Sequence, residues 1–153
     1  SKIYKNVTLF MVGKDINLKN NELAKIIKDL NLRKKVFLLN EQKNLLEFYN
    51  GIDLLILTSF SESFPNVVAE SMFCSRPVLS TDAGCSKKII SKYGFIIKKN
   101  DFFSIFKGIR ISINFIINKK LKWHIMQNKA GVYVKKNFSV EKMADNYLKS
   151  WIF

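Results

Sequence analysis

Short apolar runs alternate with amphipathic stretches along this 153-residue chain, the pattern of an α/β fold built on a parallel sheet. Residues 7–12 form the first run and end at Gly13. Asn20 or Asn21 then offers a helix cap, and Leu23, Ile26, Ile27 and Leu30 recur at i, i+3, i+4, i+7, which predicts an amphipathic helix. Residues 36–39 predict a second strand, 45–49 a short helix and 53–58 a third strand. Pro65 suits the first turn of a helix over 65–74, where the amides have no intrahelical acceptor. That helix turns Val68 and Met72 to the sheet, with Phe64 as a further candidate, and leaves Glu70 off the stripe. Strands at 77–81 and 94–98 follow, separated by a short helix around 87–91. From Asp101 onward the pattern is helical, and Ser139 can cap the last helix with Glu141 in its first turn.

Ligands of open parallel sheets bind outside the carboxyl ends of the strands. Gly13, Asn40, residues 59–66 and residues 82–84 all fall at such ends. The richest of them is Ser61-Glu62-Ser63-Phe64-Pro65-Asn66-Val67-Val68-Ala69-Glu70. Two glutamates bracket a strand-to-helix turn, with the amides of Ser63, Phe64 and Asn66 between them at the positive end of the helix dipole. Such amides suit an anion, and neighbouring carboxylates suit sugar hydroxyls. One turn can thus hold a phosphorylated sugar.

A glutamate, seven residues and a second glutamate resemble the signature of the retaining family-four glycosyltransferases, also called glycosyltransferase group 1. The surrounding chain is similar in order and spacing. Leu9-Phe10-Met11-Val12-Gly13 resembles an early strand and glycine of the family, and Val36-Phe37-Leu38-Leu39 its next strand. Pro77-Val78-Leu79-Ser80-Thr81-Asp82-Ala83-Gly84 resembles the strand and loop after the signature helix, and Gly94-Phe95-Ile96-Ile97 the last strand. The resemblance implies a Rossmann-like parallel sheet with helices on both faces, the carboxy-terminal domain of the GT-B architecture. It places 1–153 in a single nucleotide-sugar-binding domain.

The same resemblance implies roles. Glu62 would be the catalytic-site carboxylate, touching donor sugar hydroxyls near the anomeric carbon, and Ser63, Phe64, Asn66 and Val67 would meet the sugar and diphosphate. Glu70 would accept hydrogen bonds from the ribose, Leu38, Leu39 and Asn40 would border the base, and Gly13 and Gly84 would line the rim. The plainer alternative makes Glu62 a helix-start charge, Glu70 a solvated helix residue and Gly84 an ordinary turn. Asn40, Ser63, Pro65 and Ser75 stand where the family often has glycine. Asn is the best non-glycine substitute in a left-handed conformation. These departures leave the donor's identity open.

The expected activity is transfer of a sugar from a nucleoside diphosphate donor to a saccharide or lipid-linked acceptor, with retention and with no metal or other cofactor. Relative to the family, the first strand–helix unit, with its two diphosphate-binding cations, and the amino-terminal acceptor domain are expected to be missing. The chain alone is therefore expected to be inactive and to bind nucleotide weakly. With that unit missing, strands 7–12 and 53–58 are expected to pair directly. Two rivals stay open: a non-catalytic nucleotide-sugar-binding module or degenerate fragment, and a nucleotide-sugar epimerase or hydrolase using Glu62 and Glu70 as an acid/base pair.

Composition adds one anomaly. Lys and Arg number 26 against 12 Asp and Glu, a net charge of +14. An AT-rich genome would enrich lysine without selection on function; attraction to an anionic membrane face or an anionic donor is the other reading. Nucleic acid is not an expected partner, because no recognition motif accompanies the charge. The absence of a leader-like or membrane-spanning run predicts a cytoplasmic location, and the membrane reading of the charge adds a peripheral place on the inner face of the membrane. Cys74 and Cys85 have no metal-type or redox-type spacing and read as reduced apolar residues. His124, beside Trp123, reads as a packing or surface residue.

Overall fold

The computed structural model describes residues 6–98 and 101–151. The backbone forms two compact units that divide between Leu45 and Leu46.

The first unit contains β1 (Leu9–Met11), α1 (Asn21–Asp29) and β2 (Val36–Leu38). β1 and β2 pair in parallel, with Leu9 opposite Val36 and Met11 opposite Leu38. The Asn20 side chain caps α1 by accepting from the Leu23 amide at 3.2 Å. The helix ends where Asn31 adopts a left-handed φ of 52°. Its carboxyl end closes with Asn31 N–H donating to the Lys28 carbonyl and Leu32 N–H to that of Ile27, the paired bonds of a Schellman stop.

The second unit holds α2 (Leu45–Gly51) from Leu46 on, then β3 (Leu55–Leu57), α3 (Asn66–Phe73), β4 (Val78–Thr81), α4 (Ser86–Ile90) and β5 (Phe95–Ile97). Three longer helices follow: α5 (Phe102–Asn118), α6 (Lys120–Phe138) and α7 (Val140–Trp151). β3, β4 and β5 pair in parallel with β4 in the middle. Alternation along β4 sends successive side chains to opposite faces. Val78 joins Val68 and Met72 of α3, Ile89 and Ile90 of α4, and Ala130 and Val134 of α6 in one buried cluster. Gly108 of α5 lies against Leu79 and Ile97. Helices therefore cover both faces of this sheet, as expected for the α/β class.

The observed strands are shorter than the apolar runs that predict them, because side chains at run ends are apolar without being laddered. Three other details differ from expectation. Pro65 is the residue before α3, with extended backbone (φ −74°, ψ 94°) and no side-chain cap; it lies outside the first helical turn. Phe64 does not face the sheet: it is exposed, and its ring lies 6.1 Å from that of Phe138. Strands 7–12 and 53–58 do not pair directly, since β1 and β3 fall in separate sheets. Each strand takes its ladder partner from its own unit, β2 for β1 and β4 for β3.

At the far end of the chain, the Ser139 hydroxyl accepts from the Lys142 amide at 3.2 Å and so caps α7. The same hydroxyl, with a backbone amide, holds the Glu141 carboxyl below its usual range.

Candidate functional site

In the first unit, the carboxyl ends of β1 and β2 are tied together. Gly13 N–H donates to the Asn40 carbonyl at 3.1 Å and Leu39 N–H to that of Met11 at 2.9 Å. Asn40 adopts φ 54°, the left-handed conformation that its glycine-like position requires. Its own N–H donates to the Ile16 carbonyl at 2.7 Å, and the Gln42 amide donates to the Leu39 carbonyl. Gly13 and Asn40 thus share one loop cluster, flanked by half-buried Leu38 and Leu39.

In the second unit, the turn between β3 and α3 is clamped by the loop after β4. The Thr81 hydroxyl donates to the Ser59 carbonyl at 2.6 Å, and Cys85 N–H donates to the Ser63 carbonyl at 3.2 Å. Between these bonds sits Gly84, at φ 54°. A Cβ there would lie 2.0 Å from the Glu62 carbonyl oxygen and 2.7 Å from that of Ser63. Gly84 is therefore required by close approach of two backbones, a stronger constraint than a turn alone imposes. The clamp acts on main-chain atoms of Glu62 and Ser63. Among the described residues no hydrogen bond or ion pair engages the half-buried Glu62 side chain.

α3 starts directly after this turn. Val68 N–H reaches back to the Pro65 carbonyl at 3.0 Å, while the amides of Asn66 and Val67, at the first two helical positions, have no acceptor within the helix. They carry the positive end of the dipole, four and five residues after Glu62 in the chain. A cleft of about 650 Å³ opens beside Phe64 and Asn66, walled by Tyr133 and Phe138 of α6 and by Tyr147 of α7, with Lys88 on its rim.

Glu70 lies one turn past Asn66 and is exposed. It is not simply solvated, because its Oε2 accepts from the Tyr49 hydroxyl of α2 at 2.9 Å. Tyr49 is 3% exposed. Burial, and then the hydrogen bond and charge of Glu70, push its phenol well above the usual tyrosine value. The arrangement orients one carboxylate oxygen and, among the described residues, leaves the other without a hydrogen-bond partner. Arg76 lies beyond the end of α3, and its Nη2 donates to the Asn50 carbonyl near the end of α2 at 2.7 Å. Sequence reading did not single out Tyr49, which sits 21 residues before its partner and has no local spacing rule to flag it.

Tyr49→Phe is expected to cost about 0.5–1.5 kcal/mol at neutral pH, the worth of one net hydrogen bond, because the exposed Glu70 can turn to water. The raised pKa gives this contribution a sign. The neutral phenol is the form the folded state favours, so the contribution is complete below the unfolded tyrosine value of about 10 and is lost as pH rises towards the folded value. Denaturant midpoints of both proteins at neutral pH, about pH 9 and about pH 11 should therefore converge at the alkaline end. A gap that stays constant would assign the loss to packing.

Cys74 and Cys85 are both free. Burial is the main cause that raises the Cys74 pKa, against the opposing charge of Arg76, which disfavours the thiolate form. Exposed His124 pairs through Nδ1 with Oε1 of buried Gln127 on α6 at 3.0 Å. Among the described residues no cluster of His, Cys, Asp and Glu has metal-binding geometry.

Comparison with known proteins bears on the fold and the family. The chain is 28% identical over 152 residues to the N-acetylgalactosamine-N,N'-diacetylbacillosaminyl-diphospho-undecaprenol 4-alpha-N-acetylgalactosaminyltransferase of Campylobacter jejuni, covering 97% of this chain and 40% of that protein. It is 32% identical over 68 residues to N-acetyl-alpha-D-glucosaminyl L-malate synthase of Bacillus anthracis, covering 44% and 18%. The fold matches the crystal structure of Anabaena HepE in complex with UDP at a TM-score of 0.81 and 22% identity, over 96% of this chain and 41% of that one. The UDP-glucose complex of HepE matches at 0.78 and 21% identity, with the same coverage of both chains. This chain thus spans 40% or less of the length of the two sequence relatives, and its architecture is that of the Rossmann-like parallel sheets of GT-B glycosyltransferases. Residues 1–115, which include both glutamates and both strand-end clusters, match the family of glycosyl transferases group 1, and the chain belongs to that family.

Proposed function

We propose that this chain forms the nucleotide-sugar-binding part of a retaining glycosyltransferase. Its donor is a nucleoside diphosphate sugar, and the whole enzyme delivers the sugar to a saccharide or lipid-linked acceptor. The observation that carries this reading is the clamped turn. Thr81, Gly84 and Cys85 fix the main chain of residues 59–63 just before the first amides of α3, while the Glu62 carboxylate has no protein partner among the described residues. Such a turn is pre-organised for a ligand carrying hydroxyls and negative charge side by side. The UDP and UDP-glucose bound to Anabaena HepE support a donor of that chemistry. The diphospho-undecaprenol in the Campylobacter relative's name supports a lipid-linked acceptor.

In this mechanism Glu62 accepts hydrogen bonds from donor sugar hydroxyls near the anomeric carbon, and the amides at the start of α3 stabilise the charge that grows on the departing diphosphate. No metal is needed for that step. Glu70, held by Tyr49, accepts from the ribose hydroxyls.

Two substitutions separate these roles. Glu70→Ala is expected to weaken UDP binding about tenfold, the loss of one or two charge-assisted hydrogen bonds, with Glu62→Ala changing it little. The extra affinity that UDP-glucose gains from its sugar should show the reverse dependence. Calorimetric titration at low salt measures both, and equal, negligible effects of the two substitutions would sink the assignment.

A further inference from the structure

The positive charge of this chain is not spread along it. Residues 1–82 carry 11 Lys and Arg against 9 Asp and Glu, whereas residues 83–153 carry 15 against 3. Compositional bias towards lysine does not produce that division, because it acts on both halves alike. Between Ala83 and Val140 the one acidic residue is Asp101. That carboxylate is occupied as the cap of α5, accepting from the Ser104 amide at 2.9 Å and from its hydroxyl at 2.8 Å.

α5 is the second anomaly. Its inner face packs on the sheet through Gly108, against Leu79 and Ile97. A sheet-covering helix ordinarily turns charged residues outward. Here the outward arc holds Phe102 (75% exposed), Phe103 (80%), Phe106 (51%), Ile111 and Ile117, with Lys107 and Arg110 between them. At about 100° per residue these positions share about one half of the helix circumference. The three phenylalanines cluster with one another on the surface: the Phe102 ring lies 5.7 Å from Phe103 and 6.3 Å from Phe106. The helix is about 25 Å long at 1.5 Å per residue, with Lys98 before it and Lys119 and Lys120 after it.

We propose that the outward face of α5 is a docking surface for an anionic lipid bilayer, with the helix lying in the interface plane. The phenylalanine rings enter the headgroup–acyl boundary, while Lys107 and Arg110 extend their apolar stems and hold their charges among lipid phosphates. Charge complementarity selects this occupant. A purely apolar protein partner would bury both cations without compensation, whereas an anionic lipid surface neutralises them. Among the described residues no helix is long and apolar enough to cross a membrane; α5 would lie in the interface plane. The docking surface stands independently of the donor site, since no α5 residue belongs to that site.

Co-sedimentation with vesicles of phosphatidylcholine containing about 30% phosphatidylglycerol tests the proposal. The whole chain should bind them, release as salt rises, and ignore pure phosphatidylcholine. A triple Phe102→Ser, Phe103→Ser, Phe106→Ser variant and a double Lys107→Glu, Arg110→Glu variant should each lower the partition coefficient about tenfold or more. All five positions are exposed, so circular dichroism should stay unchanged. Leu18→Ser and Val132→Ser, exposed apolar positions elsewhere, should leave binding within about twofold. Absence of vesicle binding by the wild-type chain overturns the proposal, as does unchanged binding by either α5 variant. Sedimentation velocity showing a wild-type dimer that the phenylalanine variant dissociates would also overturn it, because a second copy would then be the occupant.

Discussion

Gly84→Ala is expected to destabilise the second unit by about 2–4 kcal/mol, at the upper end of what single substitutions do. Two costs combine. The left-handed φ of 54° costs an alanine about 1 kcal/mol. The larger cost is steric. The new methyl would sit 2.0 Å from the Glu62 carbonyl oxygen, and the other atoms nearest it are the Glu62 carbonyl carbon and the Ser63 carbonyl oxygen, both at 2.7 Å. All three are backbone atoms, so no rotamer change relieves the overlap. The loop must move away from the turn and give up the bond from Cys85 N–H to the Ser63 carbonyl. The damage falls on the turn that presents Glu62, so UDP-glucose affinity should fall even where the protein remains folded. Chemical denaturation gives the stability change and titration the affinity. A Gly84→Ala protein within about 0.5 kcal/mol of wild type would mean that the two backbones are not held in contact, and the clamp would go with it.

That clamp marks the border of what the amino-acid sequence makes readable. The strands are legible because each is an apolar run bounded by polar or turn residues, and Gly13 and residues 59–66 can be placed on a strand-end rim for the same reason. Asn40 is legible by residue type, since few side chains tolerate the φ of 54° it adopts. Gly84 admits two readings in sequence, close approach or plain turn, and only the position of Glu62 and Ser63, more than 20 residues earlier in the chain, separates them. Tyr49 is silent for a similar cause: its hydroxyl meets Glu70 across two helices, and nothing local announces a bond between distant elements. The break between α5 and α6 at Lys119 is equally hidden, because neither Gly nor Pro marks it. Charge division between the two halves of the chain is fully visible in the sequence, whereas the outward turn of the α5 phenylalanines is visible only in the structure.

The junction of α3 and α6 offers a prediction in which two substitutions must be judged together. α3 ends in a Schellman stop: Ser75 N–H donates to the Met72 carbonyl and Arg76 N–H to that of Ser71, both at 2.9 Å. The left-handed position of that motif favours glycine, yet Ser75 occupies it at φ 60°. Ser75→Gly should therefore stabilise the protein by about 1 kcal/mol. The Ser75 hydroxyl points at α6, where a Cβ on buried Gly131 would lie 2.5 Å from it. Gly131 is thus the complement of Ser75, a helix-interior glycine that makes room for a hydroxyl where the preceding helix would otherwise use glycine itself. Gly131→Ala alone gains about 1 kcal/mol of helix propensity but must displace that hydroxyl in a packed interior, so it should be neutral or destabilising by about 1 kcal/mol. With Ser75→Gly in place, the nearest remaining atoms are the Met72 and Phe73 carbonyl oxygens at 3.5 and 3.6 Å, ordinary contact distances, and the propensity gain is realised. The double variant should exceed wild type by about 2 kcal/mol, with a coupling energy of about 1–2 kcal/mol. Urea denaturation of the four proteins closes the cycle. Additivity within about 0.3 kcal/mol would show that the hydroxyl moves aside freely, and Gly131 would then need another explanation.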